Sequence, residues 1–128
     1  MFNLNSSTKT GLYFGLTSAT ITTLGLMVGL YASTSSKLVV LGGILTIAVA
    51  DACSDALGIH VSEEAKNKDH NDVWLATIAT FLAKFLFALT FVIPVLFFTL
   101  TKAIEIGIGW GAVSLTFLSW RIAKKNKD

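Results

Sequence analysis

Charged side chains are scarce in this sequence: 14% of its 128 residues are Asp, Glu, Lys or Arg, while 53% are apolar. A soluble globular domain carries roughly 25% charge, so the composition argues against a water-covered globule and for a chain solvated by lipid. A net charge of +2 is too small to hold nucleic acid, and none is expected as a partner. The single cysteine, Cys53, excludes an internal disulfide, and its place in an apolar run predicts a buried structural thiol. No glycine-rich phosphate loop, paired-cysteine motif, Ser/His/Asp set or Cys/His set is present, so the chain is not expected to be an enzyme. The two hairpins show no recognisable repetition of one another, so an internal inverted repeat is not expected.

What is present is long apolar runs. A bilayer core about 30 Å thick needs ~20 apolar residues in helix, because backbone polar groups in lipid must bond within their own segment. Four stretches qualify within a single domain spanning 1–128: Gly11–Ser33, Leu38–Val61, Val73–Leu100 and Ala103–Ala123. The expected fold is an all-α integral membrane protein with four transmembrane helices. The polar start, Met1–Thr10, shows no plain cleavage site, so the first run reads as a retained helix. Short joins at Thr34–Lys37, Ser62–Asp72 and Thr101–Lys102 make sequence neighbours antiparallel. Pro94 removes one helix hydrogen bond and predicts a kink near Thr90.

Lys9, Lys66, Lys68, Arg121, Lys124, Lys125 and Lys127 fall on one side of these spans, and only Lys37 and Lys102 on the other. The positive-inside rule then predicts that the N- and C-termini and the Ser62–Asp72 loop are cytoplasmic, with Trp74 and Trp120 as inner-interface anchors. A prokaryotic cell membrane is the expected location.

Each span carries a stripe of small or polar residues. In the first, Gly11, Gly15, Ser18, Thr22, Gly25 and Gly29 recur at helical spacing. The two Gly-xxx-Gly pairs predict close helix packing, while Ser18 and Thr22 either bond their own helix or line a polar path. In the second, Asp51 and Asp55 lie one turn apart on the face that holds Ser54, Gly58 and Ser62. A mid-membrane carboxylate costs roughly 2.5–3.5 kcal/mol on insertion scales, so two of them point to a proton or metal site. The bland alternative is a structural ion pair. Lys84, on a face with Thr77, Thr80 and Ala88, is the counter-ion for that alternative: residue counts from the loop put it level with Asp55 and leave Asp51 deeper and unpartnered. Otherwise it snorkels to the interface. In the fourth span Lys102, Glu105, Gly109, Ala112, Thr116 and Ser119 align, and Lys102 can pair with Glu105. At the cytoplasmic loop His60, Glu63 and Glu64 either converge to take up a divalent cation or are part of a solvated connector.

Read as strings, Gly15-Leu16 through Thr22-Thr23-Leu24-Gly25-Leu26, and then Ser54-Asp55-Ala56-Leu57-Gly58-Ile59, resemble the first two helices of the vacuolar iron transporter family. Trp74-Leu75-Ala76 after the loop and Pro94 towards the far end extend the likeness over most of 11–100. The resemblance implies a homodimeric exporter of ferrous iron or manganese from the cytosol, coupled to protons. The family's acidic residue in the first span falls at Ser18, its methionine and glutamate in the second fall at Asp55 and Ile59, and its fifth helix has no counterpart. Asp51 and Asp55 supply two carboxylates instead, an oxygen site suited to Mn²⁺, Fe²⁺ or Mg²⁺. The expected function is therefore transport of divalent metal cations, iron or manganese in kind, with Asp51 and Asp55 as metal ligands and Ser18, Thr22, Ser54 and Lys84 along the path. The metal is substrate, and no permanently bound cofactor is expected. Expected partners are the lipid bilayer, a second copy of the chain, divalent cations and protons. The competing expectations are a non-transporting membrane assembly subunit with a buried Asp/Lys network, and a proton-coupled carrier of another solute.

Overall fold

A computed structural model describes residues 6–127. Residues 1–5 of the polar start, Asp128 and the side chain of Lys127, whose charge counts towards the expected orientation, lie outside what is described. Five helices follow in order: α1 Ser6–Thr34, α2 Lys37–Ala65, α3 His70–Thr90, α4 Val92–Phe97 and α5 Leu100–Lys127. No strand occurs among the described residues. Taking α3 and α4 as one broken span, four helical segments are long and apolar enough to cross a membrane.

The helices outrun the apolar stretches that predicted them, because local capping rather than hydropathy ends them. α1 begins at Ser6 rather than Gly11, so part of the polar start is already helical. α2 continues through His60, Glu63 and Glu64 to Ala65, and the connector shrinks from the expected Ser62–Asp72 to residues 66–69. Asn67 supplies the stop with φ 58. Lys68 N–H donates to Glu63 C=O at 3.4 Å and Asn67 N–H to Glu64 C=O at 3.0 Å, the paired closure of a Schellman motif, with a residue type that tolerates left-handed backbone. At the opposite end Ser35, φ 49, turns the chain, and Ser36 caps α2 by accepting from Val39 N–H at 3.3 Å. The last join is Phe98–Thr99, not Thr101–Lys102.

Pro94 breaks the third span where expected. Without its N–H, Thr90 C=O has no i+4 donor, and Phe91 N–H turns back to Ala88 C=O at 3.1 Å, separating α3 from α4. Thr90 Oγ1 then accepts from Trp110 Nε1 at 2.9 Å, tying α5 to the break.

α1 touches α2, α3 and α5, and α3 packs chiefly on α1 and α2. The reason is bulk. Gly11 and Gly15 let α1 approach the α3 backbone so closely that a Cβ at Gly11 would stand 2.5 Å from Ala76 O, and one at Gly15 3.0 Å from Thr80 O. The same close approach was expected at Gly25 and Gly29, but both are exposed with nothing within 4 Å of an added Cβ. At that end the interior is filled by bulk instead: Met27, Val40, Ile44, Phe91, Val95, Ala103 and Ile104 form the apolar core. Cys53, expected buried, is exposed, in a shallow apolar groove with Leu57 and Phe81. Leu38, Leu57, Phe97, Val113 and Phe117 are among many outward-facing apolar side chains, a surface compatible with a lipid environment.

Candidate functional site

Asp51 is the middle residue of α2, and Lys84 stands midway along the span formed by α3 and α4. Both are 14 residues from the helix ends that flank the 66–69 connector, or ~21 Å at ~1.5 Å per residue. Counted between true helix ends, Lys84 is thus level with Asp51 rather than with Asp55. Helical side chains lean towards the N-terminus. Lys84 therefore reaches back towards the level of Asp55, while the Asp55 carboxylate leans towards Asp51.

The three groups and Ser18 meet. Lys84 Nζ donates to an Asp55 carboxylate oxygen, Oδ2, and to Ser18 Oγ at 2.5 Å, and Ser18 Oγ donates to the same Oδ2 at 2.8 Å. Asp51 Oδ2 lies 2.6 Å from Lys84 Nζ, an ion pair without hydrogen-bond angles, so that this buried oxygen has charge compensation but no hydrogen-bond donor. The expectation that Asp51 is unpartnered is corrected: one lysine bridges both acids. Burial is unequal. Lys84 is 1% exposed, whereas the Asp51 and Asp55 side chains are 24% and 20% exposed. Asp51 opens into a groove of ≈ 540 Å³ that also exposes Thr22, Thr46 and Ser54. Thr22 spends its proton on Ser18 C=O of its own helix, at 2.8 Å, and presents its oxygen to the groove.

The sequence pattern did not predict two other polar contacts. Glu63, 1% exposed, accepts from Ser7 Oγ at 2.7 Å and pairs with Lys66 at 2.9 Å, latching the start of α1 to the end of α2. His60 Nδ1 lies 2.9 Å from Thr77 Oγ1, whose own proton goes to Val73 C=O. Nδ1 is therefore the donor, and the free lone pair of the ring is on Nε2. His60, Glu63 and Glu64 are thus not brought together: the first two face α3 and α1, and Glu64 is exposed. No group of three or more His, Cys, Asp or Glu side chains among the described residues is arranged to hold a metal. Lys102 and Glu105 are both exposed and make no ion pair among the described residues.

Compared with protein-family models, curated proteins and solved structures, the chain matches none.

Chemically the centre is two carboxylates against one ammonium, one negative charge in excess when all three are ionised. Inside an apolar helix bundle such an excess favours a nearby cation.

Proposed function

We propose that this chain is a carrier of divalent metal cations of the iron or manganese kind, working as a homodimer in a membrane with both termini cytoplasmic and exchanging metal for protons. The observation that carries the reading is the charge count at mid-length: Asp51 and Asp55 against Lys84 leave one negative charge per protomer. Two such centres facing across a symmetry axis would leave two, the charge one divalent ion neutralises. Asp51 is the ligand offered to the cation, since it faces the groove and lacks a hydrogen-bond donor. Lys84 is a tethered cation that holds the site when metal is absent and must withdraw from Asp51 for metal to bind. Protons serve the same balance by neutralising a carboxylate. The likeness of Gly15–Leu26 and Ser54–Ile59 to the vacuolar iron transporters supports the same class. So does the concentration of Lys and Arg at the end of the bundle that holds the termini, which supports the orientation.

The test is Mn²⁺ or Fe²⁺ uptake into proteoliposomes, with a pH gradient, by the unaltered chain and by Asp51→Asn and Asp55→Asn. Uptake is expected to fall to the empty-liposome rate in both variants. Equal uptake in all three would end the proposal.

A second reading is favoured by one observation: Lys84 bonds Asp55 and Ser18 and pairs with Asp51 at once, as in a fixed network that specifies helix pairing in a non-transporting subunit. Thermal stability in detergent separates the two. A metal carrier is stabilised by its cation through linkage, whereas a passive module is indifferent to it.

A further inference from the structure

Where α1 begins and α5 ends, Lys9, Arg121, Lys124 and Lys125 surround two adjoining grooves of ≈ 300 Å³ and ≈ 350 Å³ that share Tyr13 and Lys125. Lys124 Nζ stands 5.0 Å over the Trp120 ring, and Lys9 and Lys125 line the same groove. The ion pairs among the described residues lie elsewhere, at Glu63–Lys66 and around Lys84. None of these ion pairs involves Lys9, Arg121, Lys124 or Lys125. The first turn of α1 holds no acidic residue. Like charges held side by side repel, and an anion between them turns that repulsion into attraction.

The neighbouring surface says which anion. Trp120 also closes an apolar groove of ≈ 460 Å³ that runs up α5 past Phe117 and Val113. A basic rim thus leads directly into an apolar channel along a helix of membrane-spanning length. A free phosphate would use only the rim, whereas a phospholipid uses both parts.

We propose that this surface is a binding site for one anionic phospholipid, with its phosphate held by Lys9, Arg121 and Lys125 and an acyl chain lying along Val113 and Phe117. Basic pockets beside apolar helices recognise anionic headgroups by this combination of charge and greasy surface. Lys124 is held over Trp120 by its cation–π contact and walls the headgroup from the outer side. The site depends on membrane placement but not on cation transport.

The experiment uses the full chain in uncharged detergent, with native mass spectrometry and thermal denaturation in the presence of phosphatidylglycerol, phosphatidylcholine or inorganic phosphate. Phosphatidylglycerol is expected to stay bound and to raise the denaturation midpoint, and the other two are expected to do neither. Lys9→Gln/Arg121→Gln/Lys125→Gln should bind phosphatidylglycerol at least tenfold more weakly, with an unchanged midpoint in the absence of lipid because these side chains support no core. Lys125→Arg should bind as the unaltered chain does, and so should Asp51→Asn, which separates this site from the carrier site. Three results would each overturn the proposal: equal retention of phosphatidylcholine, stabilisation by inorganic phosphate equal to that by phosphatidylglycerol, or less than a tenfold loss in the triple variant.

Discussion

Replacing Lys84 by methionine keeps the length of the side chain and removes its charge, and the contacts set the size of the effect. Lys84 is 1% exposed, and its ammonium donates to Asp55 and Ser18 and stands 2.6 Å from Asp51 Oδ2. Its loss strands two carboxylates at mid-length of an apolar bundle. Breaking a buried ion pair by removing one partner typically costs ~3–5 kcal/mol, and here one partner serves two acids. Relief must therefore be stepwise: Lys84→Met/Asp55→Leu should recover part of the loss, and adding Asp51→Asn should recover most of the remainder. Denaturation in detergent, run as a mutant cycle, should give a coupling of about 1–3 kcal/mol between positions 84 and 55. Mn²⁺ should stabilise Lys84→Met more than the unaltered chain, because the competing tethered cation is gone. If the losses simply add, within about 0.5 kcal/mol, the lysine does not hold the acids together and the charge-balance reasoning fails.

The glycines of α1 offer a paired contrast. Gly11→Ala should destabilise by about 1–3 kcal/mol, since its Cβ would meet Ala76 O and Thr80 Oγ1 at 2.5 Å, while Gly25→Ala should be neutral or stabilise by up to ~1 kcal/mol through helix propensity; thermal midpoints of the two variants check the order. Ser7→Ala leaves Glu63 with Lys66 alone and should cost about 1.5–3 kcal/mol, with faster hydrogen exchange in the first turns of α1 as the local sign. Orientation is testable by labelling: with Cys53 replaced by Ala, Lys68→Cys in right-side-out vesicles should resist an impermeant maleimide and Lys37→Cys should react, and the reverse pattern would invert the topology. Pro94→Ala should join α3 to α4 and raise helicity, while weakening the Trp110–Thr90 tie; an unchanged tryptophan emission spectrum would contradict the second part.

Much of this architecture could be read in the chain because runs long and apolar enough to span lipid have few alternatives to helix. Once ~20 apolar residues occur in a row, backbone hydrogen bonding dictates helix. Pro94 likewise had to break the ladder near Thr90. The helix ends were less legible. Hydropathy put the end of α2 at Val61, but the Asn67 closure carries it to Ala65, and the cap depends on backbone geometry that hydropathy does not encode. The stripe Gly11 to Gly29 looked uniform, yet only its first half meets α3, because packing depends on what lies opposite.

The sequence by itself determined the number of apolar helices, the break at Pro94 and the presence of two acids and one lysine inside apolar runs, all of them consequences of residue type and spacing along one chain. Only the tertiary structure decided that Lys84 bridges Asp51 and Asp55 with Ser18 beneath, that Glu63 and His60 part company, and that Lys9 joins the α5 cations. Those outcomes depend on how far one helix slides and turns against another, a shift of a few ångströms to which a linear pattern is blind and to which electrostatics in a low-dielectric interior is acutely sensitive.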